Sequence, residues 1–229
     1  MIASKNKNHK AAISWSGGKD SCLALLRVRE RDMQVSTFVT MCEADGISKS
    51  HALPSPVIAA QVSALGGEWC QVCVEPGQYV RQFTAALEEL RMSAHTHVVF
   101  GDIDLIAHRD FLQPACKAAG LEAVFPLWNE ARHAVAREVI SRGIRARLVC
   151  VDTRWLDESF AGAAYDNALL ARLPSCVCPC GEGGEFHSFV WDAPGFSAPL
   201  AVEFAAPRSV SSMPPLSKTT LILTTPQIV

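Results

Sequence analysis

The residues best suited to bind a ligand or take part in a reaction lie near the N-terminus, at positions 16–21. Glycines at this place let backbone N–H groups approach oxygen atoms closely and tolerate positive φ. A lysine adds a full positive charge and two serines add hydroxyl donors, so the segment can grip phosphate groups. The aspartate suits either a helix N-cap or a magnesium contact. The six residues are Ser16, Gly17, Gly18, Lys19, Asp20 and Ser21.

A second cluster of reactive side chains lies in the glycine-rich segment 180–190. If residues 185–190 are extended, Glu185 and His187 share one face of the strand, and Glu182 lies on the turn just before it. Two carboxylates and an imidazole could position an amine nucleophile, take a proton from it, or hold a cation. A solvated turn followed by an edge strand with a surface histidine fits the same composition.

Alternating strand and helix patterns must position these residues. Apolar runs predict strands at 11–15, 34–41, 68–74 and 97–101, and helical periodicity predicts helices at 22–28, 56–65, 79–91 and 110–119. This order favours an α/β fold with a parallel sheet and helices on both faces. Ligands of such sheets bind at the carboxyl ends of the strands. The glycine loop and Asp102 each follow a strand, so we expect them to share a cleft.

The second half of the chain is less regular. The patterns predict a helix at 131–142, strands at 147–151, 185–191 and 200–204, and a Cys-, Pro- and Gly-rich loop at 174–184. Residues 206–215 are rich in Ser and Pro and are expected to be loose, whereas 219–224 could add an edge strand. We therefore expect a nucleotide-binding domain over 1–125, a smaller α+β domain over 126–205, and a tail over 206–229.

Composition limits the class of protein. The chain has 229 residues, 49% of them hydrophobic and 19% charged, which is typical of a packed globular protein. A net charge of −2 gives no global basic field of the kind that attracts nucleic acid. The first ten residues lack the apolar core of a signal peptide, and no run is long enough to cross a bilayer. These features predict a cytoplasmic protein with no membrane partner.

Nine cysteines fit a reducing compartment better than a disulfide framework. Cys70 and Cys73 fall in a predicted strand, where residues three apart point to opposite faces, so a joint redox or metal role is not expected. Four further cysteines have apolar neighbours and are interpreted as small buried hydrophobes: Cys22, Cys42, Cys116 and Cys150. The last three cysteines are Cys176, Cys178 and Cys180, and in an extended chain their thiols would line one face. Three roles stay open for them: metal binding together with His187, a reactive thiol, and plain packing of the loop.

Together these motifs resemble a known family. The spacing at 16–21 is neither that of the Walker loop nor that of the dinucleotide turn, and it is similar to the PP-loop of the ATP pyrophosphatases. Four segments then occur in the order found in the diphthine–ammonia ligase family: 16–21, 100–103, 125–128 and 181–190. The resemblance extends from about Ile13 to Phe196. Departures at 48–54, 105–111 and 192–194 resemble the shorter bacterial-type members.

The resemblance implies a HUP-type, Rossmann-like fold, ATP and Mg²⁺ as cofactors, and amide formation from a carboxylate and ammonia through an acyl adenylate. By matching the motifs residue by residue, it implies that ATP contacts Ser14, Ser16, Gly17, Gly18, Lys19, Asp20, Ser21 and Asp102. It implies catalytic roles for Lys19, Glu182, Glu185 and His187, and magnesium contacts from Asp20 and Asp102. Substrate contacts would come from His51, Arg109, Gly183 and Gly184.

Several alternatives stay open at this point. Asp102 could instead contact the ribose or cap a helix, and Arg109 could face the phosphates or be solvated. Some PP-loop proteins thiolate tRNA, and HUP folds also serve as non-catalytic sensors of adenine nucleotides. Bacteria lack diphthamide, so a bacterial member would act on a carboxylate other than diphthine. The oligomeric state is open, a homodimer included.

Overall fold

The computed structural model describes residues 10–211 and 219–229. The strands are β1 (Lys10–Ser14), β2 (Gln34–Cys42), β3 (Glu68–Cys73), β4 (His97–Val99), β5 (Glu122–Val124), β6 (Arg145–Asp152), β7 (Phe186–Asp192), β8 (Val202–Phe204), β9 (Arg208–Ser211), β10 (Thr220–Leu223) and β11 (Pro226–Ile228). The helices are α1 (Lys19–Arg29), α2 (Ser55–Ala64), α3 (Tyr79–Met92), α4 (Ile106–Ala118), α5 (Arg132–Ser141) and α6 (Asn167–Arg172), with a 3-10 turn at Glu158–Phe160.

The first half of the chain forms a parallel sheet of five strands in the order β3-β2-β1-β4-β5. Its central strand β1 is buried on both faces, because alternate side chains of a strand point in opposite directions. Ala11 and Ile13 pack in one core with residues of α1, α2 and α5, whereas Ala12 packs in a second core with residues of α3 and α4. The prediction of a parallel sheet with helices on both faces is confirmed.

The chain changes direction across the sheet between β1 and its neighbour β4. The connections from the carboxyl ends of these strands lead to opposite sides there, which opens the crevice where such folds bind ligands. The second residue after β4, Gly101, makes the approach very close, because a Cβ at this position would lie only 2.8 Å from the backbone nitrogen of Ser21. The glycine loop and the end of β4 therefore share one edge of the sheet, as predicted.

The second half forms an antiparallel sheet in the order β7-β6-β10-β9 and a two-stranded sheet of β8 and β11. Strand β7 lies at the edge of its sheet. Apolar side chains of both halves, among them Leu23 on α1 and Phe189 on β7, belong to one continuous core. The edge of β7 is thus held against the first half of the chain. Within the described part of the chain, no helix has both the length and the apolar character needed to cross a bilayer.

Some elements differ from the sequence predictions. Helix α4 begins at Ile106, four residues before the predicted start, and β5 and α6 were not predicted. Part of the stretch expected to be loose is strand β9, while residues 212–218 lie outside the described residues. Strand β10 exists as expected but lies between β6 and β9, so its prediction as an edge strand is wrong. Its central place follows from pairing with the distant strand β6.

Candidate active site

The loop between β1 and α1 is shaped by its own serines and glycines. Gly17 has a φ of +78°, in the left-handed region that favours glycine. Ser16 Oγ accepts the N–H of Gly18 at 3.2 Å and lies 3.1 Å from Ser21 Oγ, while the Ser21 hydroxyl donates to the Gly18 carbonyl at 2.9 Å. Ser14 ends β1 just before this loop. The loop is thereby fixed at the N-terminus of α1, where anions bind favourably.

The outer edge of β7 closes one side of this loop. The N–H of Val190 donates to the Gly17 carbonyl at 3.0 Å, and the N–H of Lys19 donates to Ser188 Oγ at 3.2 Å. Gln61 on α2 donates through Nε2 to the carbonyls of Gly17 and Val190, at 2.9 and 2.6 Å. An edge strand otherwise presents unpaired N–H and C=O groups. These bonds therefore fasten the second half of the chain to the glycine loop.

Lys19 is buried at the junction of the two halves, with 2% of its surface exposed. Its Nζ donates to Asp20 Oδ2 at 2.8 Å and to the Cys180 carbonyl at 2.5 Å, and it lies 5.3 and 5.4 Å from the ring centres of Tyr165 and Phe186. Burial alone would lower the pKa of Lys19, but Asp20, Cys180 and Glu182 together outweigh it and the pKa is raised. The site therefore holds a fixed positive charge.

Asp20 fits a magnesium contact. The N-cap of α1 is Gly18, so the alternative that Asp20 caps this helix is wrong. Its Oδ1 is a buried carboxylate oxygen that finds no hydrogen-bond donor among the described residues. Carboxylate oxygens are the ligands that Mg²⁺ prefers. Across residues 10–211 and 219–229 no group of three or more His, Cys, Asp and Glu could hold a metal, so phosphate oxygens and water would complete the coordination.

The residues after β4 form a second side of the crevice. Asp102 Oδ1 lies 2.8 Å from His108 Nδ1, and this hydrogen bond raises the pKa of His108. The N-cap of α4 is Leu105, so Asp102 does not cap that helix. The Arg109 guanidinium lies 4.6 Å from the ring centre of Trp128 on an aromatic platform. Asp102 is thus paired with His108, so a cation or a ribose would have to share the carboxylate with that ring.

Glu185 holds the loop that precedes β7. This carboxylate is buried, and its Oε1 accepts the N–H of Cys178 at 3.0 Å while its Oε2 accepts the N–H of Gly183 at 2.8 Å. A Cβ on Gly183 would lie 2.9 Å from Glu185 Oε1, so a larger residue does not fit without displacement of that carboxylate. Gly184 has a φ of +79°, which favours glycine. Glu185 therefore shapes the segment that carries Glu182.

The pKa of the Glu182 carboxyl group differs from its ordinary value. Burial raises its pKa to about 7, the neighbouring Asp20 adds to the rise, and Lys19 opposes it. A carboxyl group with such a pKa exchanges protons readily near neutral pH, which is the property of a general acid or base. Glu182, Asp20 and Lys19 thus belong to one electrostatic unit, although Glu182 is far from the other two in sequence.

His51 and His187 form a stacked pair on the other side of the loop. Their ring centres lie 4.7 Å apart with an angle of 28° between planes, and His51 Nδ1 donates to the Ser188 carbonyl at 2.7 Å. Burial lowers the pKa of both rings, to about 4 for His187, and the Lys19 charge lowers both further. Both imidazoles are therefore neutral at physiological pH. His51 lies in a loop, and its hydrogen bond to the Ser188 carbonyl of β7 brings it into the site.

Three residues around the site were missed by the sequence analysis. Ser188 binds the N–H of Lys19, Gln61 joins the loop to β7, and Tyr165 packs its ring beside the Lys19 ammonium. Ser188 lies within the 181–190 segment that carries the family resemblance, so that motif contained a signal. Gln61 and Tyr165 lie in segments that contributed no motif. Their roles come from the packing of α2 and of the turn before α6.

The cysteines divide by burial. Cys22, Cys42, Cys116 and Cys150 are buried, as predicted. Cys70 and Cys73 lie three apart in β3, as predicted, the first half-buried and the second exposed. In the loop before β7, Cys176 is exposed while Cys178 and Cys180 are buried. The three thiols would share one face only in an extended chain, and that condition is not met because the chain turns at this place.

A parallel sheet whose central strand leads into a Ser-Gly-Gly-Lys-Asp-Ser loop at a helix N-terminus defines a nucleotide-binding protein of the PP-loop class. Comparison with protein families identifies the family. Residues 9–123 match the family described as Diphthamide synthase N-terminal domain, and residues 131–210 match the Diphthamide synthase C-terminal domain. The chain belongs to the diphthamide synthase family.

Two curated relatives carry the name diphthine–ammonia ligase. The protein from Schizosaccharomyces pombe is 24% identical over 79% of this chain and 34% of its own length. The protein from Homo sapiens is 31% identical over 40% of this chain and 36% of its own length. The chain thus spans about a third of the length of these relatives. Among solved structures, the U34-tRNA thiolase NcsA from Methanococcus maripaludis with its [4Fe-4S] cluster matches with a TM-score of 0.37 and 17% identity, over 58% of each chain.

Proposed function

We propose that this chain is an ATP-dependent ligase that activates a carboxylate as an acyl adenylate and converts it into an amide with ammonia. The observation that carries the proposal is the position of Lys19. This buried cation belongs to the glycine loop, yet it donates to the Cys180 carbonyl and its pKa is raised by the charge of Glu182. Both of these residues lie in the second half of the chain. A phosphate site and an acid–base group thus meet in one crevice. The names of the curated relatives support the same reaction.

In the first step a carboxylate oxygen attacks the α-phosphorus of ATP, and pyrophosphate leaves. The Lys19 ammonium and the N–H groups at the start of α1 stabilise the charge that develops on the leaving group. Ser16 and Ser21 keep this loop in shape through their hydrogen bonds. Asp20 and Asp102 are the residues that would hold Mg²⁺, and the ion would supply further neutralisation of the phosphate oxygens.

In the second step ammonia attacks the acyl carbon and AMP leaves. Ammonium must lose a proton before it can attack, and Glu182 is the group whose pKa, about 7, suits this transfer at neutral pH. Glu185 acts as a positioning residue, because both of its oxygens hold the backbone of the loop that carries Glu182. The neutral rings of His51 and His187 line the neighbouring wall and bring no competing charge. Arg109, Gly183 and Gly184 complete the surface offered to the carboxylate substrate.

The test measures AMP and pyrophosphate from ATP, Mg²⁺ and ammonium in the presence of pools of carboxylates, diphthine among them. We expect a subset of carboxylates to stimulate both products, and hydroxylamine in place of ammonium to yield a hydroxamate. Lys19→Met is expected to lower the rate about 10²–10³-fold, as does the loss of one electrostatic stabiliser in other enzymes. The matched control is Lys117→Met, at an exposed position on α4.

Other products would contradict the proposal. ADP and phosphate would exclude adenylation. Tight ATP binding without cleavage in any pool would favour a nucleotide sensor, and AMP release stimulated by tRNA alone would favour thiolation. Lys19→Met must be compared at equal folded fraction, since the substitution leaves Asp20 Oδ2 and the Cys180 carbonyl without their donor. Lys19→Arg keeps the charge and separates loss of charge from loss of folding.

A further inference from the structure

Two thiols lie inside one tight turn behind Lys19. The N–H of Gly181 donates to the Cys178 carbonyl at 3.0 Å, and Pro179 at the second position favours such a turn. The N–H of Cys180 donates to Cys178 Sγ at 3.4 Å, so the Cys178 side chain folds over the turn toward Cys180. Residues two apart in such a turn reach the Cα separation of about 4.4–6.8 Å that a disulfide requires.

The two thiols differ in their readiness to react. Hydrogen bonding from Cys180 lowers the pKa of Cys178 to about 5 against the effect of burial, and the charge of Arg132 adds to the lowering. The same interaction and burial raise the pKa of Cys180, whose Sγ also lies 3.1 Å from the Arg132 carbonyl oxygen. Arg132 is itself held by Asp104 through hydrogen bonds of 2.7 and 2.8 Å. The pair thus combines a nucleophilic thiolate with a neutral thiol.

The backbone of this turn is connected to the glycine loop. The Cys180 carbonyl accepts Lys19 Nζ at 2.5 Å, and the Pro179 carbonyl accepts the Tyr165 hydroxyl at 2.7 Å. The N–H of Cys178 is bound by Glu185. A covalent link between Cys178 and Cys180 would close a small ring around Pro179 and restrain the Cα of Cys180, to which the carbonyl that accepts Lys19 is attached.

A cavity adjoins the other side of this loop. A cavity of about 360 Å³ is lined by Val177 and Pro179, the two neighbours of Cys178 in the chain, together with residues of α5 and α6. The thiols themselves are only 8% and 2% exposed. This burial favours an oxidant as small as a peroxide over a protein disulfide.

We propose that Cys178 and Cys180 are an oxidative modification site, at which a peroxide forms an intraloop disulfide that withdraws the Cys180 carbonyl from Lys19. The Cys178 thiolate attacks one oxygen of hydrogen peroxide, the O–O bond breaks, and hydroxide leaves. The sulfenic acid so formed is attacked by the Cys180 thiol; the S–S bond forms and water leaves with the thiol proton. Two thiols are oxidised and one peroxide is reduced. The consequence for ATP binding rests on the proposed function, whereas the disulfide does not.

The test begins with the reduced full chain and stoichiometric hydrogen peroxide. After alkylation of free thiols under denaturing conditions, mass spectrometry is expected to find a disulfide in the peptide that contains Cys178 and Cys180, reversible by dithiothreitol. Cys178→Ser and Cys180→Ser should each lose it, while the exposed-thiol controls Cys73→Ser and Cys176→Ser should retain it. Oxidation that first appears at Cys73 or Cys176 would overturn the site.

Two readouts then test the link to Lys19. In the absence of nucleotide, the oxidised chain should show faster acetylation of Lys19 by acetic anhydride, with Lys117 as the internal reference. The Kd for ATP should rise about tenfold, as expected when one hydrogen bond to a charged group is lost, and Cys178→Ser should be insensitive to peroxide. A disulfide that leaves both quantities unchanged would overturn the coupling. If the reduced chain binds no ATP, the proposed function fails, while the disulfide and the Lys19 reactivity still decide this inference.

Discussion

The substitution Gly18→Ala tests how tightly the glycine loop is packed against the histidine pair. Gly18 has φ −95° and ψ 175°, an extended conformation open to any residue, so alanine causes no backbone strain. Its Cβ would lie 2.2 Å from His51 Cε1 and 2.8 Å from His51 Nδ1. These distances are too short for any real contact. The His51 ring must therefore move.

The structure also provides the magnitude. Movement of His51 breaks its 2.7 Å hydrogen bond to the Ser188 carbonyl, which is worth about 0.5–1.5 kcal/mol. It also breaks the stack with His187, and aromatic pairs are worth about 0.5–1.5 kcal/mol. The sum of about 1–3 kcal/mol agrees with the range known for overpacked sites. For a chain of this size we expect a Tm lower by about 2–12 °C.

The assay is a double-mutant cycle by urea unfolding with Gly18→Ala, His51→Ala and the combination. Removal of the His51 ring makes room for the new methyl group, so Gly18→Ala should cost little in the His51→Ala background. We expect a coupling energy of about 1–3 kcal/mol between the two positions. Strict additivity would refute the reasoning, because it would mean that the loop does not press on this ring.

Three further predictions concern charge. The pKa of Glu182 is raised from 4.5 to about 7, so between these pH values the folded chain retains a proton that the unfolded chain has released. The free energy of unfolding should therefore fall by about 1–2 kcal/mol as pH rises through this window. Glu182→Gln should remove this fall. The pKa of His187 is lowered from 6.5 to about 4, so between these pH values the unfolded chain binds a proton that the folded chain does not. The free energy of unfolding should therefore fall as pH drops through this window, and His187→Phe should reduce the fall. Urea unfolding at a series of pH values measures both slopes. Arg27→Ala removes bonds to Glu138 (3.1 Å) and to the Pro126 carbonyl (2.8 Å), and it should cost about 1–3 kcal/mol by the same assay.

Each of these predictions has a contrary outcome. An unchanged pH slope in Glu182→Gln would mean that this carboxyl group titrates normally in the folded chain, which would also remove it as the proposed base. The same result for His187→Phe would mean that the ring is solvated. For Arg27 the control is the exposed Arg31→Ala, and equal effects of the two substitutions would show that the contacts between α1 and the 126–138 region add nothing to stability.

Much of the first half was predictable from sequence, because its elements are local and strongly patterned. Strands β1 to β4 are rich in apolar and β-branched residues, and α3 repeats its apolar residues at helical spacing. The early start of α4 left no such signal, since Ile106 is 66% exposed and contributes nothing to an apolar face. Strand β5 has only three residues, too few for a periodicity. The interior place of β10 depends on pairing with β6, which lies about 70 residues away.

Residue type, short spacing and strand order were enough to identify the glycine loop, the side of the sheet on which it lies, and the family. The surroundings of the loop depend on contacts between distant segments, which form only in the folded chain. The edge of β7 binds Gly17 and Lys19 and buries His51, and burial then moves the pKa of Glu182 and His187 in opposite directions. Such shifts arise from desolvation and from charges brought close by folding, so no local pattern of residues can contain them.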